Sequence, residues 1–420
     1  MRSKLQVRIH AGYLFILVLF STTAFAGGYS NPLQTTRAIG QAAALTAGID
    51  DPSAVFYNPA ALSEINGNQV MADFIYINTV SSVTNSNRKS VNKHDDAIFP
   101  TLFANYHIAT TDLTFGIGVY SPFGLSTTYG ETSFTRFAAI RSEFRTIYVT
   151  PTIAWAVTPW LSLGGGVSFV HASGLLSRAI FLGGPEGRLR LTDTDDAYGY
   201  NFGVLVKPNE QLKFGLTYRS RVDLDFNGAD VKFNIGPTTF TKAHGAHVPL
   251  PPIISVGANW EINPKWSIEV VYDYTRWSEF QNLTARFATP LLGGLIPGFL
   301  IPQDWKNTST IRFGTAYKLN ESLELRGGVI LDESPTPNRT LNPGIPGADL
   351  LTLNAGLSYK WRNLSTAISY MPVFYKTRRI SNNVLETGGD PAAIPFPGVP
   401  GPDKYKTFQN FVAFNLGYRF

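Results

Sequence analysis

Fourteen strand-like runs follow one another from Asn68 to the C-terminus, and the connections between them alternate short and long. The runs are Gln69–Val80, Ala97–Ala109, Leu113–Leu125, Phe144–Val157, Leu161–Ser173, Ala197–Val206, Leu212–Phe226, Ile253–Ile262, Trp266–Trp277, Thr310–Leu319, Leu323–Leu331, Leu350–Trp361, Leu364–Tyr375 and Phe408–Phe420. Every even-numbered run ends in a tight turn such as Thr110–Asp112, Thr158–Trp160, Asn263–Lys265 or Arg362–Asn363. Every odd-numbered run ends in a long connection, among them Ser81–Asp96, Ser126–Glu143, Ser278–Ser309 and Lys376–Thr407. A soluble sandwich has no reason to sort its loops this way. An outer-membrane barrel does, with short turns on the periplasmic side and long loops outside.

Side-chain parity agrees. In the last run, Val412, Phe414, Leu416, Tyr418 and Phe420 share one face, and Phe411, Ala413, Asn415, Gly417 and Arg419 share the other. That is a strand with an apolar aromatic face and a small or polar one. A Lys or Arg on the lipid side near the midplane costs about 2–4 kcal/mol. Charges should therefore fall on lumen parity: Lys213 and Arg219, Glu269 and Asp273, Arg312 and Lys318, Glu324 and Arg326. Charged residues make up only 15% of the chain, against about 25% in average proteins. With 29 Phe and 19 Tyr, the composition suits a barrel with aromatic girdles and excludes a disordered chain.

The N-terminus sets the compartment. Arg2, Lys4, Arg8 and His10 precede the apolar run Tyr13–Phe20, and Ala24 and Ala26 form a small-residue cleavage site. Residues 1–26 are expected to be a signal peptide and Gly27 the first mature residue. The run is too short to span a bilayer as a helix. Residues 27–68 do not alternate; they read as a compact plug, with helical spacing over Thr36–Ala47, a turn at Asp50–Ser53 and a second at Asn58-Pro59-Ala60. The expected fold is all-β, a 14-stranded antiparallel outer-membrane barrel (residues 69–420) closed by a small, partly helical N-terminal hatch (27–68).

Two features point to passage of something apolar. Leu291–Pro302, with Leu295 and Phe299, and Ala392–Pro400 are apolar yet lie in long connections. Exposed apolar loops usually bind a ligand, or else fold over one another as a lid. The third run holds Ser121-Pro122-Phe123-Gly124. Proline cannot donate to a ladder and glycine tolerates a bend, so this strand should open locally. Pro100 and Pro151 suggest the same for the runs on either side.

The chain resembles the FadL family of outer-membrane transporters of long-chain fatty acids and related hydrophobic compounds. The resemblance is carried by Asn58-Pro59-Ala60, Ser121-Pro122-Phe123-Gly124-Leu125, Arg136-Phe137, Pro151 with Ala154-Trp155, Leu161–Gly166, Tyr274–Ser278, Trp305–Thr308, Arg312-Phe313-Gly314, Leu325–Gly328 and Asp332–Pro335. It covers essentially the whole mature chain. It implies a hatch gate in which Gly27 reaches the ligand pocket and Asn58, Pro59 and Ala60 anchor the base. It also implies a lateral exit at Pro122, Phe123 and Gly124. Arg136 is a candidate for an acid head group, with lipopolysaccharide phosphates, Glu131 or Glu143 as its other partners.

The function so implied is passive uptake of long-chain fatty acids, or of aromatic hydrocarbons of the toluene type, by a monomer contacting outer-membrane lipid and lipopolysaccharide. A general porin and a barrel lipid hydrolase are the alternatives. No hydrolase motif surrounds His94, His107, His171, His244 or His247, and there is no cysteine. No catalytic residue, metal site or cofactor is expected, and the thinly spread charge of +5 gives nucleic acid no footprint.

Overall fold

In the computed structural model, which describes residues 28–85, 88–93, 96–181, 185–234, 238–291, 296–381 and 404–420, the alternating runs form a closed wall. The expected signal peptide, Gly27, Leu295 and Ala392–Pro400 lie outside the described residues. The wall strands are β1 (Gln69–Asn85), β2 (Ala97–His107), β3 (Leu113–Tyr120, resuming as Gly124–Thr128), β4 (Arg141–Thr158) and β5 (Leu161–Ile180). Then follow β6 (Gly187–Val206), β7 (Leu212–Arg219), β8 (Ile253–Asn263), β9 (Trp266–Thr275) and β10 (Thr308–Lys318). The last four are β11 (Leu323–Asp332), β12 (Leu350–Thr352 with Asn354–Trp361), β13 (Leu364–Tyr375) and β14 (Lys404–Arg419). Each pairs antiparallel with its neighbours, and β14 returns to β1 from Gln69↔Arg419 to Thr84↔Lys404. No edge is left open at that seam.

The register follows the cost of placing charge in lipid. Phe414, Leu416, Val270, Phe313 and Leu325 are exposed on the outside, while Phe411, Glu269, Arg312 and Asn415 are buried inside. Aromatic residues ring the short-turn end at Trp155, Trp160, Trp266, Tyr317, Trp361 and Phe420. A second ring, with Phe169, Tyr198, Tyr272, Phe374 and Phe408, lies toward the long-loop end. Above that second ring the wall grows hairpins, Ala229–Asn234 with Thr238–His244 and Asn282–Leu291 with Ile296–Pro302. Their inner faces bury Val231, Phe233, Phe287, Phe299 and Ile301 against Leu189 and Leu191 of β6.

The described residues before β1 fill the lumen. The helical spacing over Thr36–Ala47 becomes a helix only over Thr36–Gly40. The chain then turns through left-handed Ala42 and Ala43 (φ 55° and 50°), because it must cross the lumen rather than run along it. Asn58-Pro59 opens a 3-10 turn over Pro59–Glu64, with the Asn58 side chain accepting from the Ala60 N–H at 3.1 Å. This turn lies directly on the wall. A Cβ at Gly164 of β5 would stand 2.4 Å from the Pro59 carbonyl carbon, and one at Gly203 of β6 would meet the Asn58 side chain.

Of the three strands expected to be interrupted, only β3 is. β2 and β4 run unbroken through Pro100 and Pro151. Pro151 falls where the ladder to β5 skips between Val149↔Phe169 and Thr152↔Gly166. Pro100 falls where β2 pairs with β1 alone. Each proline sits beside a missing ladder partner, so its absent N–H leaves nothing unpaired.

Candidate functional site

The gap in the wall lies between β2 and β3. Their ladder ends at Leu102↔Val119, and Ala97–Thr101 of β2 has no partner on that side. Above the gap the Lys93 N–H donates to the Thr128 carbonyl at 2.8 Å. Between these points β3 turns inward, and Tyr120 to Thr127 are all buried.

The backbone groups freed by this turn are taken up by the hatch. A strap, Tyr29–Gln34, runs beside the kink. Ser30 bridges Phe123, the Asn31 N–H donates to the Pro122 carbonyl at 2.7 Å, and the Gly124 N–H donates to the Tyr29 carbonyl at 2.8 Å. Gln34 is fully buried and spans the gap. Its amide donates to the Ser121 carbonyl and accepts from the Ser121 N–H, each at 2.9 Å, while its own carbonyl accepts from the Thr101 hydroxyl at 2.8 Å. One hatch residue thus connects both sides of the missing ladder.

Tyr29 anchors the strap's upper end in an aromatic box. Its ring stands edge-on to Trp277 at 4.8 Å, Phe144 at 5.3 Å and Phe280 at 5.8 Å, and tilted to Trp305 at 5.4 Å. Its hydroxyl donates to the Pro249 carbonyl at 2.9 Å. Gly28 before it has φ +70°, and a Cβ there would press 2.4 Å from the Trp305 ring. Only glycine fits that backbone and that space.

Above Tyr29 opens a cavity of about 150 Å³. Leu125, Phe144, Leu176, Phe226, Phe280 and Phe299 line it, with Tyr29 beneath. Its polar lining includes Ser142, Glu143 and Asp193, and among the described residues no Lys or Arg lines it. Below the strap lies a second, more polar cavity of about 60 Å³, bounded by Ser30, Pro122, Phe123, Tyr57, Arg219, Asp273 and Arg312. The strap and the β3 kink together separate the two.

The rest of the hatch is bonded to the wall by directional polar groups. Asp73 of β1 accepts from the Thr36 N–H at 2.7 Å. Glu269 of β9 accepts from the Ala47 and Gly48 N–H groups at 2.7 and 2.8 Å. Asn354 of β12 donates to the Ile39 carbonyl at 2.6 Å, and Asn58 reaches the Val204 carbonyl at 3.2 Å. Within the hatch, Asp50 is exposed, and the Arg37 guanidinium beside it holds its carboxyl well below the usual range.

The sequence-level candidates divide accordingly. Pro122, Phe123 and Gly124 form the kink and meet the strap; Asn58, Pro59 and Ala60 fix the hatch base; Phe299 lines the upper cavity. Phe299 and Ile301 are buried in the loop cluster, on the inward side of the described part of Leu291–Pro302. Arg136 is not at the cavity. It pairs with Glu186, its Nε donating at 2.9 Å, and lies over the Phe137 ring. That hydrogen bond holds the Glu186 carboxyl below its ordinary range. Glu143 is engaged by Arg141 and Arg145, and Glu131 by Arg188. Sequence pattern alone does not single out Tyr29, Gln34 or Asp73. Asp73 carries a signal, a carboxylate on lumen parity; Gln34 carries none.

A model of the family described as outer membrane protein transport protein (OMPP1/FadL/TodX) matches residues 17–392. The long-chain fatty acid transport protein of Salmonella typhi is 26% identical over 394 residues, covering 84% of this chain and 89% of the relative. Outer membrane protein P1 of Haemophilus influenzae is 23% identical, covering 96% and 97%. Among solved structures, a Pseudomonas aeruginosa FadL homologue superposes with a TM-score of 0.79 at 21% identity, covering 94% of this chain and all of that one. The P. putida toluene transporter TodX superposes with a TM-score of 0.72 at 17% identity, covering 94% and 99%.

Proposed function

This chain belongs to the outer membrane protein transport protein family (OMPP1/FadL/TodX), and from that premise we propose that it admits hydrophobic molecules by their apolar body alone, through the cavity above Tyr29, and releases them sideways at the β3 kink. The family is one of outer-membrane transporters and channels for hydrophobic compounds, not of enzymes.

The observation that carries the proposal is the position of the strap. It floors an apolar cavity with one face and fills a gap in the wall with the other. A ligand entering from the loop side loses water-exposed apolar surface at roughly 0.8 kcal/mol per methylene. The same ligand, pressing on Tyr29, displaces ring contacts and gains equivalent ones. Once the strap yields, Ser121–Gly124 lose their partners and the break beside Ala97–Thr101 faces the membrane. No step draws on an energy source; the ligand gradient drives the flux.

The lining bears on the substrate. A fatty acid remains the expectation, and the Salmonella typhi relative is named for that cargo. Since no cation among the described residues lines the cavity, its carboxylate stays at the open side and contributes little. A second reading, a monoaromatic hydrocarbon, is favoured by size, because about 150 Å³ is also the volume of an engineered apolar cavity that takes benzene.

Competition binding on the purified barrel tests the recognition. A long-chain fatty acid and its methyl ester should bind within about threefold of each other. An acid bound more than tenfold tighter would show that a cation meets the carboxylate, and would sink recognition by the apolar body alone. Displacement by toluene but by neither acyl compound would select the second reading. Gly124→Trp tests the exit: uptake should drop while assembly, read by heat-shifted gel mobility, stays normal. Unchanged uptake removes the lateral route, and passage of sugars at porin rates would contradict the plugged lumen.

A further inference from the structure

Four cations crowd one patch of the outer wall, on the seam where β13, β14 and β1 meet. Phe408 is the uppermost aromatic residue on the lipid face of β14, its ring 5.6 Å from Phe374 of β13. The next two outward positions are Lys406 and Lys404, flanking the inward, buried Tyr405. Arg379, beyond the end of β13, is the register partner of Lys404. On the other side Thr84 of β1 pairs with Lys404, and Lys89 pairs with Thr84. Arg379, Lys404 and Lys89 therefore lie in one row on the outer face, with Lys406 one step beneath.

Like charges directly opposite one another on a sheet are destabilising. Lys406 and Arg379 both repel Lys404. Among the described residues no carboxylate pairs with any of the four, whereas Lys376 nearby is matched by Asp349 at 3.4 Å. A row of like charges held in register on a rigid wall is arranged for an anion from outside the chain.

Height identifies that anion. A strand rises about 3.3 Å per residue, so Lys406 and Lys404 stand roughly 7 and 13 Å along the tilted strand above Phe408. The aromatic ring marks the edge of the hydrocarbon. The cations therefore lie at head-group level on the long-loop side, the outer leaflet. Below them Phe374, Tyr370, Ile368, Val412 and Phe414 present a continuous apolar face for acyl chains. A phosphomonoester on an acylated lipid satisfies both requirements, and in the outer leaflet that lipid is lipopolysaccharide.

We propose that Lys89, Arg379, Lys404 and Lys406 form a binding site for the lipid A phosphates of a lipopolysaccharide molecule seated on the β13–β14–β1 seam. The site rests on the outer-membrane placement of the chain and is independent of what the lumen transports.

The test uses the full mature barrel, delipidated in detergent and titrated with purified lipid A while bound lipid is counted by native mass spectrometry. Bisphosphorylated lipid A should bind at least tenfold tighter than its dephosphorylated form or phosphatidylglycerol. Arg379→Gln/Lys404→Gln/Lys406→Gln should lower lipid A affinity at least tenfold, with Lys265→Gln at the opposite rim as an unaffected control. If the triple variant does not assemble, Lys406→Glu alone should still cost at least fivefold. Lipid A binding that ignores these substitutions, or that ignores the phosphates, overturns the site. Phosphatidylglycerol binding as tightly as lipid A overturns the assignment to lipopolysaccharide in favour of any anionic lipid.

Discussion

The body of the hatch and its strap differ in what holds them and in what they are bonded to. From Thr36 to Asn58 the wall supplies buried directional partners: carboxylates at Asp73 and Glu269, amides at Asn354 and Asn201, the Ser369 hydroxyl and the Arg219 guanidinium. They come from β1, β6, β7, β9, β12 and β13, nearly the full circumference. Sliding the body would leave several of them unpaired at once, at about 1–3 kcal/mol each. The strap, by contrast, adds ring contacts around Tyr29 to hydrogen bonds that run mostly to a strand that is itself broken. Ring contacts are apolar, and an apolar ligand can replace them. The difference teaches where motion belongs: the plug stays, and only its first described residues need move.

The strongest way to break this comparison is to remove the two wall carboxylates. Asp73→Ala with Glu269→Ala should lower stability by about 2–6 kcal/mol, since each strands buried hatch N–H groups that now have a carboxyl partner. Urea unfolding in detergent checks it, and a midpoint unchanged by the double substitution would mean the hatch body is not fixed by them. Tyr29→Ala removes a buried aromatic group, worth about 3–5 kcal/mol in a core. Here the loss should stay in the strap. Amide exchange at Asn31 and Gly124, whose N–H groups bond across the strap and the kink, should accelerate by on the order of a hundredfold, with the unfolding midpoint unmoved. A global shift of the same size would erase the distinction between strap and body. Gln34→Leu should loosen the same segment by about 1–3 kcal/mol, by stranding the Ser121 N–H. Exchange at Ser121 should rise, and it should rise less at Ala47 and Gly48. Arg136→Ala should change ligand affinity and stability by no more than about 0.5 kcal/mol, as expected for an exposed pair away from the cavity.

Much of this barrel was legible because lipid imposes a strict rule. Parity placed Glu269, Asp273, Arg312 and Glu324 inward, and the structure has them there, Asp273 on Arg312 and Glu324 on Arg326. The same rule applied to β1 would have found Asp73. Ser121–Gly124 was readable because proline and glycine have few places in a closed wall. The helix over Thr36–Ala47 was only partly readable, since its length is set by the width of the lumen and not by propensity. The partner of Arg136 was not readable, because a cation in a long loop shows no sign of it; Glu186 lies fifty positions away. Gln34 was invisible for a similar reason. Its value comes from Thr101 and Ser121, which it meets only after the wall has folded.

The seam between β1 and β14 has a consequence for assembly. It joins the first wall strand to the last, Gln69 with Arg419, so it cannot form until both have been made. The hatch precedes β1 and yet touches strands from β1 to β13 on all sides. Because its contacts reach wall strands on either side of that seam, the N-terminal segment is expected to be in place while the sheet is still a curved, unsealed ribbon. Its contacts with distant strands then act as a mandrel, drawing the two free edges together. On this account a weakened hatch base shows first as slow closure, and only later as a leaky pore.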